Sequence, residues 1–291
     1  MVRISAFPKC WLEDIVSGQM DLFEWIDISE TLDCEGLELY YKFLASTDEA
    51  YLFRVRQAVE KTGKVVSMMC YSPDFTKPVP SERHMEVENQ ILAVKTASVL
   101  GARYCRVLSG QKRPEVAVED GIAWVCECIK ECMILTAGID VELVIENHFK
   151  DGYWLYPEFA QKSEVFLRIL ELLPDLGVQF DPSNSIVAGE DPLVLLDKIA
   201  AKVKTVHASD RRLAPNVKME DLKQAEGVAG YAGLLTHGVV GEGLNDYDKI
   251  FDKLNEAGFN GWISIEDGMN GLDEMKRSID YLNRMRNKHN M

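Results

Sequence analysis

The chain is acidic: its 291 residues carry a formal net charge of −15 at pH 7, and the sequence pI is near 4.8. This balance disfavours nucleic acid as a partner, because nucleic-acid-binding proteins present a basic footprint. The hydrophobic content of 47% is sufficient for one continuous core. No run of roughly 18 apolar residues predicts a membrane span.

Short apolar runs alternate along the chain with longer amphipathic stretches. In chain order the runs are VRISAF, GLELYY, KVVSMMC, ARYCRVL, VELVIE, GVQFD, KTVH and GWISIE. Near-continuous apolar runs are typical of strands that are buried on both faces. The stretches between them follow helical spacing, for example over residues 87–97, 247–254 and 275–285. Gly101 is placed to cap the first of these helices.

Eight strand candidates that alternate with helices favour an α/β fold, a (β/α)8 TIM barrel. The competing fold is an open, doubly wound sheet. That fold would be expected to show a GxGxxG turn after an early strand, and the sequence contains none. We therefore expect one barrel domain over residues 1–291, because single barrel domains of about 250 residues are common.

Each of the last four runs ends in a residue that can bind a metal: Glu146, Asp181, His207 and Glu266. In a barrel, the carboxyl ends of the strands meet at one rim, where the chemistry of such proteins takes place. Each residue has an ordinary alternative role as a helix cap, a turn former, a core histidine or half of a surface ion pair. Together they place three ionisable carboxyl groups at buried strand ends, which requires ion pairing or a metal. The donor set suits a hard or borderline divalent cation such as Mn²⁺, Mg²⁺ or Co²⁺, with Zn²⁺ as an alternative.

Several stretches around these residues resemble the xylose-isomerase-like sugar isomerase/epimerase superfamily. They are VIENH, FDPSN, TVHASD, GVVGEGLNDY and WISIEDG, and residues 73–110 resemble the segment that precedes the fourth strand. The superfamily includes ketose 3-epimerases, inosose isomerases and dehydratases, and endonuclease IV. The resemblance implies a barrel with one divalent cation, Mn²⁺ by preference, held by the four residues at the strand ends. It also implies that Glu146 and Glu266 act as acid/base groups on opposite faces of the substrate.

Asn184 departs from part of this pattern. Endonuclease IV relatives have a histidine three residues after the aspartate ligand, where this chain has Asn184. The other histidines that a trinuclear zinc cluster needs are absent among the five in the chain. This departure disfavours cleavage of DNA and favours a single metal. Many ketose epimerases also have histidine near that position, so their substrate preference does not transfer directly.

Seven residues are candidates for binding the substrate: His148, Trp154, Asn184, Asp210, Arg211, His237 and Glu242. His148 could contact a hydroxyl or act as an additional acid, and its alternative is a solvated loop histidine. Arg211 could bind a carboxylate or phosphate of the substrate, or be a surface charge. Asp210 could orient His207, because metal-bound imidazoles donate their other N–H to a partner. Loop solvation is its alternative.

Two long polar loops follow the predicted metal ligands, at residues 147–160 and 208–240. Trp154, with Tyr153, could form a flat wall for the C–H face of a sugar, and core packing is the alternative. His237 and Glu242 flank the glycines of HGVVGEG, a loop that could close over the metal or be a simple glycine turn. The loop at 208–240 is long enough to serve as a lid.

These residues predict an enzyme. The first hypothesis is a divalent-metal-dependent isomerase or epimerase that acts on a keto sugar or polyol through a metal-stabilised enediolate. The alternative is a lyase, namely a dehydratase, decarboxylase or C–C/C–O eliminating enzyme, acting on a keto sugar or sugar acid at the same site. An additional acid such as His148 would favour the lyase. A non-catalytic scaffolding protein is a third hypothesis, which the intact ligand set disfavours.

The glycine pattern contains no phosphate cradle, which favours a non-phosphorylated substrate. The sequence leaves open the exact carbohydrate and the oligomeric state, a homo-oligomer included. The seven cysteines are odd in number and lack the spacing of a disulfide scaffold. The first residues, MVRISAFPKCWL, contain no basic region followed by an apolar stretch. We therefore expect a soluble, cytoplasmic protein.

Overall fold

Eight parallel strands close into a barrel in the computed structural model, which describes residues 1–225 and 233–291. The strands are β1 (Arg3–Ala6), β2 (Gly36–Tyr40), β3 (Val65–Cys70), β4 (Tyr104–Val107), β5 (Glu142–Glu146), β6 (Gly177–Phe180), β7 (Val203–Ala208) and, last in the chain, β10 (Trp262–Ile265). Each pairs with the next in chain order, and β10 closes the barrel by pairing with β1. All eight predicted strands are present, which confirms the (β/α)8 barrel.

Helices cover the outside of the barrel. They are α1 (Leu12–Ser17), α2 (Leu22–Ser29), α3 (Glu49–Lys61), α4 (Pro80–Leu100), α5 (Val118–Thr136), α6 (Ser163–Leu172), α7 (Pro182–Val187), α8 (Pro192–Ile199), α9 (Met219–Gln224), α10 (Tyr247–Glu256) and α11 (Leu272–Lys288). Short 3₁₀ turns occur at Lys9–Trp11, Tyr41–Phe43 and Ala200–Lys202. Over the parts of the chain given above, no helix has the length and apolar character that crossing a membrane requires.

The predicted helical periodicities correspond to buried helix faces. In α4, Val87, Val94 and Ala97 are buried, and the helix ends at Gly101, whose φ of 81° suits a left-handed cap. In α11, buried residues recur from Met275 to Met285. These faces pack on the outer side of the strands, so most barrel strands are buried on both faces. That explains why the strands are continuous apolar runs.

The segment at 208–240 contains more regular structure than expected. Arg211–Leu213 forms β8, and Leu235–His237 forms β9, which pairs with it antiparallel. Helix α9 lies between them in the chain. Three-residue strands are too short to show a recognisable alternation, so the sequence pattern did not predict them. The part of the predicted lid at 226–232 lies outside the described residues.

Gly261 illustrates how closely the last strand approaches its neighbour. It precedes β10, and a Cβ atom at this position would overlap the backbone carbonyl oxygen of Lys204 in β7. The strand that carries Glu266 to the rim could then pair with β7 only after a backbone shift. Glycine at this position therefore allows the barrel to close on this side.

We expect Gly261→Ala to destabilise the protein, because the carbonyl of Lys204 is backbone and cannot rotate away. The expected loss is about 1–3 kcal/mol in the free energy of unfolding, measured by urea denaturation. Gly138→Ala is the matched control, since a Cβ there meets no atom within 4 Å. Equal stability of the two variants would contradict this account of barrel closure.

Candidate metal centre and active site

The four residues predicted at the strand ends lie together at the carboxyl end of the barrel. Glu146 ends β5, Asp181 follows β6, His207 lies in β7 and Glu266 follows β10. One ligand atom from each residue lies within 4.8 Å of those of the other three. Neighbouring strands of the barrel present them, and all four side chains are largely buried. We call this group the quartet.

His207 is held in place by a residue on the far side of its ring. Its Nε2 atom lies 2.6 Å from Oε1 of Glu38 in β2, and Sγ of Cys70 donates to the same oxygen at 2.9 Å. Its Nδ1 atom lies 3.1 Å from Oε1 of Glu146, inside the quartet. Burial disfavours the charged imidazole, but Glu38, Glu266 and Glu146 raise the pKa of His207 well above its ordinary value. The ring therefore presents Nδ1 to the quartet and uses Nε2 to contact Glu38.

The prediction that Asp210 orients His207 is wrong. The carboxylate of Asp210 is fully buried and accepts hydrogen bonds from the backbone N–H groups of residues 211, 241, 243 and 245. Its backbone N–H donates to Oδ2 of Asp267 at 2.5 Å. Asp210 thus anchors the glycine loop to the end of β7. Its oxygens are occupied by the backbone, which leaves it unsuited to hold a substrate hydroxyl.

Each glutamate of the quartet has one oxygen bound to a cationic side chain. Nη1 of Arg106 in β4 lies 2.7 Å from Oε2 of Glu146, and Nζ of Lys9 lies 2.9 Å from Oε1 of Glu266. Burial alone would raise the pKa of Glu146, but His148, His207 and Arg106 lower it well below its ordinary value. Burial is likewise opposed at Glu266, where Lys9 and His207 lower the pKa to about 2. Both glutamates are therefore ionised, and their other oxygens lie near Nδ1 of His207, at 3.1 and 3.6 Å.

Asp181 is the carboxylate of the quartet without a cationic partner. In the described ranges, no Lys, Arg or His nitrogen lies within 4.0 Å of its oxygens, and Oδ1 accepts only the backbone N–H groups that begin α7. Burial and the adjacent Glu266 and Glu146 raise the pKa of Asp181 to about 7. A divalent cation among these oxygens would remove that repulsion. Three carboxylates and one imidazole are ligands that suit a divalent cation. Such a cation would also supply the positive charge that Asp181 lacks.

Two adjoining cavities open onto the quartet at Glu266. The first, of about 270 Å³, is bordered by residues that include Phe7, Lys9, Tyr40, Arg106, His148, Tyr153, His207 and Glu266. The second, of about 230 Å³, shares Lys9, His148, Lys150 and Glu266 with the first and adds Asn184, Arg211 and His237. Four of the predicted binding candidates therefore line a cavity: His148, Asn184, Arg211 and His237. A fifth candidate, Asp210, binds the backbone of the adjacent loop.

Of the two aromatic residues predicted to form a wall, only one lines the first cavity. Tyr153 lines the first cavity, whereas Trp154 is not among its lining residues. The Tyr153 hydroxyl donates to Oε2 of Glu13 at 3.3 Å, and Nζ of Lys42 lies 3.4 Å from the centre of the Tyr153 ring. Adjacent loop residues point in different directions, which the sequence pattern alone did not resolve.

Glu242 lies on the surface rather than over the quartet. It is exposed and forms ion pairs with Arg212 and Arg277. His237, at the other end of the predicted loop, lies at the site, with Nδ1 3.1 Å from Oδ1 of Asp267. The glycine loop turns between these two residues because Gly241 has a φ of 85° and Asp210 binds its N–H. Glu242 therefore lies on the outer side of the loop and not on the side predicted, which faces the quartet.

His148 is backed by a buried carboxylate. Its Nδ1 atom lies 3.6 Å from Oε2 of Glu158, while Oε1 of Glu158 accepts the hydroxyl and the backbone N–H of Ser109 at 2.5 and 2.7 Å. Burial opposes charge on the imidazole, but Glu146 and Glu158 raise the pKa of His148. His148 borders both cavities and is therefore positioned as a proton donor.

Four residues of this site were missed in the sequence: Lys9, Glu38, Arg106 and Glu158. Two of them had a recognisable signal. Glu38 and Arg106 are charged residues inside the apolar runs GLELYY and ARYCRVL, where an ionised side chain needs a partner. Lys9 and Glu158 lie in loops, and nothing in their local sequence sets them apart.

A protein-family model described as xylose isomerase-like TIM barrel matches residues 26–285 of the chain. An inosose dehydratase from Clostridium botulinum (strain Alaska E43 / Type E3) is 37% identical over 136 residues, which are 45% of this chain and 42% of the relative. The chain thus matches less than half the length of this curated relative.

Solved structures share the fold over nearly the whole chain. D-psicose 3-epimerase from Clostridium cellulolyticum H10, crystallised with D-tagatose, superimposes with a TM-score of 0.74 at 11% identity, covering 98% of each chain. The IOLI protein, whose structure is described with a bound zinc atom, superimposes with a TM-score of 0.70 at 12% identity, covering 99% of this chain and 97% of the other. At these identities the likeness establishes the fold alone.

We expect Glu38→Ala to weaken binding of a divalent cation on the order of 10- to 100-fold, because His207 would lose the partner that fixes its ring. Cation affinity would be measured by calorimetry with Mn²⁺ and Zn²⁺. Glu38→Gln keeps an oxygen acceptor for Nε2–H and should lose less affinity than the alanine variant. Unchanged affinity in a folded Glu38→Ala protein would show that Glu38 does not position His207.

Proposed function

Because the chain belongs to the xylose isomerase-like TIM barrel family, we propose that it is a divalent-metal-dependent isomerase or epimerase of a keto sugar or polyol. The observation that carries this proposal is the state of the two glutamates in the quartet. Each is ionised by a dedicated cation, Arg106 or Lys9, and each keeps one oxygen directed to the quartet. Paired carboxylates at a carbonyl-binding site are suited to moving a proton from one carbon face to the other.

The proposed ligands are Glu146, Asp181, His207 and Glu266, with Mn²⁺ as the favoured cation because three of the four are carboxylates. When bound, the cation would supply Lewis-acid polarisation of the substrate carbonyl. Asn184 supports a single cation, since it contributes an amide where a further histidine ligand would be needed. Its Nδ2 atom lies 3.4 Å from Oε1 of Glu146.

Glu266 is the group best placed to take the first proton. It borders both cavities, whereas Glu146 is only 1% exposed and borders neither. Lys9 keeps Glu266 ionised and therefore able to accept a proton. Glu146, whose Oε2 is held by Arg106 and whose Oε1 lies 3.1 Å from the Nδ1 atom of His207, would return a proton to the other face of the carbon.

Residues of the loop after β5 border the first cavity and contact the opposite side of the barrel. Tyr153 reaches across to Glu13 and Lys42, on the β1 and β2 side of the barrel. Asp151 accepts a hydrogen bond from the Tyr40 hydroxyl at 3.3 Å. These contacts tie the loop after β5 over the quartet and restrict the access of water. Exclusion of water strengthens the electrostatic effect of the charged groups on the substrate.

The alternative function is a lyase acting on the same kind of substrate, and a specific observation supports it. A lyase needs one base and one acid, and Glu266 and His148 both border the two cavities. His148, with Glu158 behind it, could protonate a leaving group after Glu266 has taken a proton. The similarity to an inosose dehydratase is in keeping with this alternative. The seven free cysteines support a cytoplasmic location in either case.

We expect protein purified without chelator to contain about one divalent cation per chain. Removing it with EDTA should lower the melting temperature, and saturating Mn²⁺ should restore it. At a hundredfold excess over Kd, binding contributes about 2.7 kcal/mol. Asp181→Ala should lose the effect, whereas the exposed Glu242→Gln should keep it. Absence of a bound cation together with no gain in melting temperature would refute the metal centre.

We expect Glu266→Gln to reduce turnover on the order of 10²- to 10⁴-fold, since the amide cannot accept the proton. The assay incubates the protein in D₂O with keto sugars, keto acids and inososes and follows deuterium incorporation by mass spectrometry. Glu242→Gln is the control and should match the wild type. Deuterium incorporation without net loss of mass would support the isomerase or epimerase, and a product lighter by water or CO₂ the lyase. Full exchange by Glu266→Gln would remove this residue from catalysis.

A further inference from the structure

Half of the residues that line the second cavity beside the quartet have basic side chains. The basic residues are Lys9, His148, Lys150, Arg211 and His237, and Glu266 is the one acidic residue among the described lining residues. Lys9 and Glu266 neutralise one another at 2.9 Å. Lys150 and Arg211 are the other Lys and Arg side chains of the lining, and His148 beside them faces Glu146 and Glu158, which raise its pKa. This balance is opposite in sign to the net charge of −15 that the whole chain carries.

Arg211 and Lys150 have no acidic partner in the described parts of the chain. No carboxylate oxygen of those residues lies within 4.0 Å of either side chain. The Nε atom of Arg211 is buried and makes no hydrogen bond. The charge of Arg211 acts on Asp267, but Oδ1 of Asp267 contacts His237 and its Oδ2 accepts the N–H of Asp210. A half-buried guanidinium without a counter-charge carries a desolvation penalty that a bound anion would offset.

The position of Arg211 is held by the backbone around it. Arg211 pairs with His237 across the β8–β9 ladder. The carbonyl oxygen of Arg211 accepts the N–H of Leu244 at 2.9 Å. Its own N–H donates to Oδ1 of Asp210 at 3.0 Å. The next residue, Arg212, is on the opposite face of the strand and pairs with Glu242. Arg211 is thus directed to the cavity by a structured element.

His237 provides a second indication of positive potential in this cavity. Burial, followed by the charges of Arg211 and Lys9, lowers the pKa of His237 to about 3. The imidazole therefore stays neutral, first because it is buried and second because Arg211 and Lys9 are positive. A neutral polyol in this cavity would leave Arg211 and Lys150 without a counter-charge.

Building on the proposed function, we infer that the substrate carries an anionic group, a carboxylate or a phosphate ester, which Arg211 and Lys150 bind in the second cavity. The carbonyl end of the same molecule would occupy the quartet, since the two cavities join at Glu266. Arginine binds carboxylates and phosphates through two parallel N–H bonds, and lysine adds a point charge. The substrate class is accordingly an acidic keto sugar rather than a neutral one.

The test uses three probes that differ only at one end: D-fructose, D-fructuronate and D-fructose 6-phosphate. Binding to the Mn²⁺-loaded protein is measured by calorimetry. We expect at least one anionic probe to bind roughly tenfold or more tightly than D-fructose, because hydrogen bonds between charged groups contribute that much binding free energy. Preference for the acid identifies a carboxylate, and preference for the ester a phosphate.

Variants separate the anion site from the metal centre. Arg211→Gln and Lys150→Gln should each remove most of the preference for the anionic probe while keeping Mn²⁺ content and melting temperature. Lys150 lies in a loop, so its variant should fold even if Arg211→Gln does not. Arg212→Gln, which loses only a surface pair, should behave as the wild type.

Equal binding of the three probes by the Mn²⁺-loaded wild type would overturn the inference and leave the proposed function standing. The same holds if Arg211→Gln and Arg212→Gln, both folded, show the same preference as the wild type. Failure of the wild type to bind Mn²⁺ or Zn²⁺ would instead refute the proposed function.

Discussion

Four carboxylates are buried close together at the carboxyl end of the barrel, and their mutual repulsion governs the structure around them. Glu146 is paired with Arg106, Glu266 with Lys9, and Glu38 with His207. Asp181 is the fourth, and its pKa is raised to about 7 because burial and its neighbours disfavour a further negative charge. The residues are thus arranged as three compensated carboxylates and one that a divalent cation would compensate. Unpaired buried charge is too costly for such a group to persist without a ligand or a role.

The partners of these carboxylates also determine which atoms remain available for chemistry. Because Arg106 and Lys9 each occupy one oxygen of a glutamate, the opposite oxygen is directed to His207. Because Glu38 occupies Nε2 of His207, the Nδ1 atom of the ring faces the free oxygens of the two glutamates. Supporting contacts from strands β2 and β4 and from the end of β1 therefore orient ligands carried by β5, β7 and β10. Residues that orient metal ligands in this way influence the metal affinity of a site, in addition to the ligands themselves.

The loops add a second electrostatic layer over the quartet. The loop after β5 is tied across the barrel through Tyr153 and Asp151, and it contributes His148 and Lys150. The β8–β9 ladder contributes Arg211 and His237, and Asp210 fixes the adjoining glycine loop by its backbone N–H groups. A negative quartet and a positive cavity thus lie side by side. A molecule with a carbonyl at one end and an anion at the other would complement both.

The sequence by itself determined the eight barrel strands, the helices between them and the four residues at the last strand ends. These follow from local periodicity and from the rule that parallel strands in a barrel end at one rim. Only the tertiary structure decided that Glu38 rather than Asp210 orients His207, that Tyr153 rather than Trp154 faces the cavity, and that Glu242 lies outside. Lys9 meets Glu266 across 257 residues of chain because β1 and β10 become neighbours when the barrel closes. Such pairings depend on barrel closure and on the direction of each loop side chain, and no local pattern carries that information.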